Sequence, residues 1–168
     1  MILVVIDVDR FKEINDTHGH LAGDEVIRML SRMMAAELGE LGYLGRIGGD
    51  EFAIVGSRIE KKNLVACLGA FHARLGATPI VACGIPVAVT ISAGVAIRTP
   101  DQSLSDLYAE ADRALYTAKS LGRNRVSYSP SFEASITPSV PDSEDTWRAD
   151  MHADRRNPGA KDDLASVA

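Results

Sequence analysis

Four acids stand where they could share one positive ion. Asp7 and Asp9 close the apolar run MILVVIDVD, two residues apart, and Asp50 and Glu51 follow two glycines in RIGGDEF. If the strands carrying them are neighbours, three or four carboxylates converge, and their repulsion is unfavourable without a cation between them. Hard oxygen ligands in an open cluster favour magnesium or manganese, leaving coordination positions for substrate phosphates. The competing reading, for any one of these acids alone, is a solvated side chain at a strand end or turn.

The segment DVDRFKEINDTHGHLAGDE adds polar groups to the same region. Lys12 lies close behind the strand-end acids and could meet a phosphate. Asn15 offers donor and acceptor and Asp24 an acceptor pair, which is what the Watson–Crick edge of guanine asks of its partners. Against this, Asp24 could be a helix-start acid favoured by the macrodipole, and Asn15 a turn residue. His18 and His20 lack further His or Cys neighbours to complete a zinc set, so structural or surface roles fit them better. In AKSLGRNRV, Lys119 and Arg123 fall about one helical turn apart at a helix end. They would either complement the carboxyl-terminal dipole or clamp a triphosphate, Lys as a point charge and Arg as a planar fork.

These residues need a frame. Residues 2–6 are apolar on both alternating faces, the pattern of a central strand covered on both sides. Flanked by LGYLG and FAIVG, RIGGDEF reads as a tight hairpin. Its glycines would supply positive φ and leave no side chain between backbone and a bulky ligand. Helical spacing of Val26, Ile27, Leu30, Met33, Met34 and Leu38 predicts a helix over about 23–38, and Leu64, Val65, Leu68, Phe71 and Leu75 mark a second. Odd-numbered apolar residues from Ile85 to Ile97 predict a strand, with Pro86 tolerable at its start or on an edge. Ser103 and Asp106 form a capping pair for a third helix through Leu115 and Ala118, ended by Gly122, and RVSYS reads as a last strand. Hairpins mixed with crossovers give an α+β class, a mixed sheet flanked by helices. From Ser129 onward the chain is rich in Pro, Ser, Ala and charge without a sustained period and reads as a mostly disordered tail, 129–168, whose one large anchor, Trp147, could dock but as an isolated aromatic is more often solvated.

Composition narrows the function. A net charge of −5 argues against a nucleic-acid surface, which needs a basic footprint, and Cys67 and Cys83 are too few for a disulfide scaffold. No signal-peptide pattern opens the chain and the first apolar run is too short to cross a bilayer, so a cytoplasmic location is the simplest expectation.

RIGGDEF, DVDRFKEINDTHGHLAGDE, VTISAGVA and ADRALYTAKSLGRNRV, in this order and spacing, resemble the signature blocks of GGDEF domains, the diguanylate cyclases of bacteria. The resemblance runs from about Ile2 to Val126 and implies a nucleotide-cyclase fold with a ferredoxin-like core, over a domain of residues 1–128. It implies that Asp7, the Val8 backbone carbonyl and Asp50 hold magnesium or manganese, and that Gly48 and Gly49 let phosphates approach. By the same resemblance Glu51 supports the metal and phosphates, Asn15 and Asp24 read guanine, and Lys12, Lys119 and Arg123 neutralise phosphate. Phe11 and Phe52 read as core anchors. The implied reaction joins two GTP molecules into cyclic di-GMP with release of pyrophosphate, a carboxylate at Asp50 helping to deprotonate the attacking hydroxyl. The resemblance further implies that two copies of the chain meet face to face, so a homodimer is the expected partner.

The sequence departs from the family pattern twice. Many members carry an inhibitory Arg-x-x-Asp upstream of the signature, where this chain has Gly39 and Gly42, so no strong product feedback through that site is expected. Family domains also begin with a helical segment and a Leu-Thr-x-Leu-x-Asn-Arg motif, whereas Met1 here leads directly into the strand. The expectation is a first strand short of cover on one face, at a cost of roughly 25 cal/mol per Å² left wet. An alternative function follows from that departure, a catalytically inactive GTP-binding regulatory module. A further alternative is another phosphoryl-transfer enzyme acting on ATP or on a template.

Overall fold

The computed structural model describes residues 1–57 and 59–136. The first strand, β1 (Ile2–Val8), lies at the centre of a five-stranded sheet ordered β2-β3-β1-β6-β7. It runs antiparallel to both neighbours, β3 (Glu51–Gly56) and β6 (Ile91–Ile97). Strand β2 (Tyr43–Arg46) closes the hairpin with β3, and β7 (Arg125–Tyr128) lies parallel to β6 on the far edge. The sheet is therefore mixed.

Every residue of β1 is buried, as a strand apolar on both faces requires. On one face Val4, Ile6, Phe52 and Ile54 meet the apolar stripes of α2 (His20–Leu38) and α3 (Lys61–Ala77). On the other, Leu3, Val5, Ala53 and Ala96 meet Leu107, Ala111 and Leu115 of α4 (Leu104–Ser120). The expected shortage of cover is thus corrected: both faces of β1 are buried, one against α2 and α3 and the other against α4. Helix α4 comes unusually near the sheet because Gly94 has no side chain; a Cβ there would lie 2.1 Å from the Ala111 carbonyl oxygen. Ser103 caps α4 as expected, accepting a hydrogen bond from the Asp106 amide at 3.1 Å.

Three elements differ from the sequence expectation. Phe11–His18 forms a short helix, α1, separated from α2 by Gly19 at φ 84°, so the helical stretch begins well before residue 23. Only Ile14 of α1 is buried, too little to give a periodic signal. The strand expected from Ile85 to Ile97 is interrupted at 88–90: β5 (Ile85–Val87) pairs instead with β4 (Ile80–Ala82) in a separate two-stranded ribbon. Its turn, Cys83-Gly84, has positive φ at both residues, as tight hairpins favour. Pro86 stands in that ribbon, where a missing amide is tolerated.

The third difference corrects the boundary placed at Ser129. Residues Pro130–Ile136 form a further helix, α5, whose Phe132 is fully buried in the main core. Its ring stacks on Tyr128 at 5.1 Å, and Lys61 donates to the Ser135 carbonyl at 3.0 Å. The expectations for the rest of the tail and for Trp147 lie outside the described residues.

Candidate active site at the acidic end of the sheet

Asp7 and Glu51 are register partners on adjacent strands, so the last acid of β1 stands opposite the first residue of β3. Like charges in that position destabilise a sheet unless something neutralises them. Here Lys119 does so, its Nζ 2.7 Å from Asp7 Oδ2. The helix delivers it by simple periodicity: Leu107, Ala111 and Leu115 face the sheet, and Lys119 continues the same stripe beyond the apolar core.

Burial pushes the Asp7 carboxyl above its ordinary pKa; the Lys119 ammonium opposes this, while Asp50 and Glu51 add to it. A largely buried carboxylate beside two further acids and one ammonium is a setting in which a divalent cation would be favourable, and the donors are all oxygens. The acids are nonetheless not gathered into a finished cage. Among the described residues no three Asp, Glu, His or Cys side chains form a metal-binding group. Asp7 is turned to Lys119, the Glu51 carboxylate lies along the Gly48 backbone, and Asp9 is engaged elsewhere. The convergence expected of three or four carboxylates is thus a correction for Asp9, whose oxygens accept from Thr90, Ser92 and the Asn124 amide.

The turn between β2 and β3 is held by its own ends. Arg46 donates to the carbonyls of Gly48 at 3.1 Å and Gly49 at 2.6 Å, and the Ile47 amide donates to the Glu51 carbonyl at 2.9 Å. The Val8 amide donates to the Asp50 carbonyl at 3.1 Å, tying the turn to the end of β1. Neither glycine has the positive φ expected of it. Their value is spatial: a Cβ on Gly48 would meet Glu51 Oε2 at 2.8 Å, and one on Gly49 would protrude into open space above the turn.

Asn15 is seated over Gly23, the residue before Asp24. A Cβ at Gly23 would fall 1.8 Å from Asn15 Oδ1, so α1 and α2 approach with the Asn15 side chain seated over the glycine, and exposed Asp24 is the next residue. Phe11 packs at the same spot and Phe52 is buried in the core, as expected of anchors. Lys12 is exposed on the first turn of α1. Arg123 is not on the helix face expected for it: α4 ends at Ser120, and Arg123 follows Gly122 in a left-handed conformation at φ 63°. It remains exposed and one turn of chain beyond Lys119. His18 and His20 flank Gly19 and belong to no metal-binding group among the described residues. Sequence reasoning passed over Arg46 and Gly23, whose contacts lie within one turn and one helix pair, and Thr90, Ser92 and Asn124, whose contacts with Asp9 reach across the fold.

The family model described as "Diguanylate cyclase, GGDEF domain" matches residues 1–125. The chain belongs to the GGDEF family. The GGDEF chain is 33% identical over 126 residues to the diguanylate cyclase DgcP of Pseudomonas aeruginosa, covering 75% of this chain and 19% of that protein. It is 38% identical over 125 residues to DosC of Escherichia coli, covering 74% and 27%. The matched part thus spans about a fifth to a quarter of those relatives' length. Among solved structures, the GGDEF domain of TpbB (YfiN) from Pseudomonas aeruginosa superposes with a TM-score of 0.70 at 31% identity, covering 76% of this chain and 81% of that one. The coiled coil and GGDEF domain of DgcB from Caulobacter crescentus, solved with cyclic di-GMP, gives 0.67 at 32%, covering 76% and 69%. The mixed sheet flanked by helices is the fold of these GGDEF structures. No helix among the described residues is long and apolar enough to cross a membrane.

Proposed function

We propose that this GGDEF domain is a diguanylate cyclase that condenses two GTP molecules into cyclic di-GMP, with magnesium or manganese as cofactor and a homodimer as the working unit. The observation that carries the reading is the Asp7–Lys119 pair at 2.7 Å, set against Glu51 and beside a glycine turn open above Gly49. Relatives named diguanylate cyclases support it.

On this reading Asp7, the Val8 carbonyl and Asp50 hold the divalent ion, with Glu51 supporting it. When bound, the ion would withdraw charge from the phosphoryl oxygens and lower the pKa of the attacking 3′-hydroxyl. Asn15 and Asp24 bind the guanine edge through the pairing chemistry of amide and carboxylate. Gly48 and Gly49 admit the phosphates, and Lys12, Lys119 and Arg123 neutralise them. Lys119 has three donors, so it can keep Asp7 and reach a phosphate oxygen.

The Asp50 carboxylate, with Glu51 beside it, receives the 3′-hydroxyl proton. The 3′-oxygen forms a bond to the α-phosphorus of the GTP on the facing copy, and the bond from that phosphorus to the bridging oxygen breaks. Its electron pair leaves with pyrophosphate. A second, reciprocal attack closes the ring. Holding the two nucleotides face to face supplies much of the acceleration, since it replaces an encounter by a fixed geometry.

The test is incubation of folded protein with GTP and Mg²⁺, with mass-spectrometric detection of cyclic di-GMP. Wild type yields product, and Asp50→Ala loses about 10²-fold or more in rate while still binding GTP. A dimeric, GTP-binding wild type that makes no cyclic di-GMP overturns the reading.

A further inference from the structure

Asp9 shares the end of β1 with the acids of the site but serves a different purpose. It is 5% exposed, and both oxygens are taken. Oδ1 accepts from Ser92 Oγ at 2.7 Å, while Oδ2 accepts from Thr90 Oγ1 at 2.7 Å and from the Asn124 backbone amide at 2.9 Å. Its own amide donates to the Thr90 carbonyl at 2.9 Å. One buried carboxylate therefore joins the end of β1, the entrance of β6 and the loop between α4 and β7.

That loop is the strained part of the neighbourhood. Arg123 and Asn124 are consecutive left-handed residues, φ 63° and 48°, and neither is glycine. Such a conformation persists only where surrounding contacts determine it. Three contacts do so here: the Arg123 amide donates to the Ala118 carbonyl at 3.0 Å, its carbonyl accepts from Arg125 Nε at 3.0 Å, and Asp9 takes the Asn124 amide. The backbone around Arg123 is fixed on both sides while its side chain stays exposed, beyond Lys119 and near the acidic end of the sheet.

We infer that Asp9 is a positioning residue for nucleotide binding, holding the Asn124 amide so that Arg123 is presented to the triphosphate. The inference rests on the proposed role of Arg123 as a phosphate clamp. It gives Asp9 no contact with substrate and no bond to a cation.

Asparagine at this position separates the possibilities. The amide oxygen of Asp9→Asn can replace Oδ2, accepting from Thr90 and Asn124, and its NH₂ can donate to the Ser92 hydroxyl, which accepts as readily as it donates. The Asn124 amide is the partner that cannot reverse, and it keeps its acceptor. Asp9→Ala removes that acceptor altogether.

The experiment measures GTP affinity by calorimetry with Mg²⁺, guanosine affinity by NMR titration, and protection of the Asn124 amide by hydrogen exchange. The variants are Asp9→Ala, Asp9→Asn, Arg123→Ala and the double variant Asp9→Ala/Arg123→Ala. The expected result is about tenfold or more loss of GTP affinity in Asp9→Ala and in Arg123→Ala, with no further loss in the double variant. Guanosine affinity stays unchanged, and Asp9→Asn keeps both the GTP affinity and the amide protection. If Asp9→Ala does not fold, Thr90→Val, which removes one of the two bonds at Oδ2 other than the Asp9 backbone pair, is expected to lose about two- to fivefold for GTP alone.

An Asp9→Asn variant as impaired as Asp9→Ala, equal losses for guanosine and GTP, or additive losses in the double variant overturns the inference, and leaves the functional reading standing where the same wild-type protein binds GTP and converts it to cyclic di-GMP. A wild type that binds no GTP, with Asn124 still protected, overturns that reading and the inference with it.

Discussion

Asp7 carries an electrostatic cost that its position explains. Burial raises its pKa above the unfolded value of 3.8, so over a window above that value the folded state holds a proton that the unfolded chain has lost. Stability from this group is therefore highest below 3.8 and falls as pH rises through the folded pKa. The metal-free Asp7→Asn variant is expected to melt higher than wild type at pH 7, with the difference closing as pH is lowered below about 4; calorimetric scans across that range read it directly. Wild type and variant melting alike at pH 7 would remove burial as the dominant influence on Asp7. A second residue-scale prediction concerns Gly39 and Gly42, which stand at the positions expected from the family pattern to hold an Arg-x-x-Asp motif. At Gly39 a Cβ meets nothing within 4 Å, whereas at Gly42, with φ 152°, it would lie 2.2 Å from the Val55 carbonyl oxygen. Gly39→Arg is expected to change stability by no more than about 0.5 kcal/mol and Gly42→Asp to lower it by about 3 kcal/mol in urea titrations. Two such substitutions would therefore not restore the motif without injuring the hairpin.

Helix α4 is the element on which the site depends most, because it covers β1 and delivers Lys119. Its seating is set by Gly94, where a Cβ would also lie 2.3 Å from the Leu115 amide nitrogen, a backbone atom that cannot rotate away. Gly94→Ala is expected to lower stability by about 3 kcal/mol or more and, by displacing Lys119 from Asp7, to weaken GTP binding in whatever protein stays folded. An alanine variant with wild-type melting behaviour would show that α4 tolerates a shift. The elements legible in the sequence were those whose own pattern decides them: β1 from apolar residues on both faces, α3 from Leu64, Leu68, Phe71 and Leu75, and the α4 start from Ser103 and Asp106. Those that were not legible owe their form to partners elsewhere in the chain. Helix α1 rests on Ile14 and on Asn15 over Gly23, and the break before β6 follows from β5 pairing with β4. The site divided in the same way. Residue types singled out Asp7, Asp50 and Lys119 as candidates, but the Asp7–Lys119 pair and the diversion of Asp9 to Thr90, Ser92 and Asn124 span the length of the domain and leave no local signal.

At the scale of the molecule, α5 is a structural part of the domain although its sequence looks like the start of a tail. Phe132→Ala is expected to cost about 3–5 kcal/mol, the range for a fully buried aromatic, and a midpoint unchanged in denaturant would show that α5 does not pack on the core in solution. The proposed homodimer makes a further prediction: specific cyclase activity should rise with protein concentration until dimerisation saturates, and an assay independent of concentration would overturn that part of the proposal. The central place of β1 also has a consequence for biosynthesis. β1 is made before β3 and well before β6, the two strands that pair with it, and before α4, which covers one of its faces. A growing chain thus carries an unpaired, β-prone apolar ribbon while its partners are still being translated, the kind of exposure that invites aggregation and that chaperones shield. Slowing translation between Gly56 and Ile91 would prolong that vulnerable interval, so the yield of native protein should depend on codon speed there more than in the stretch that encodes α4.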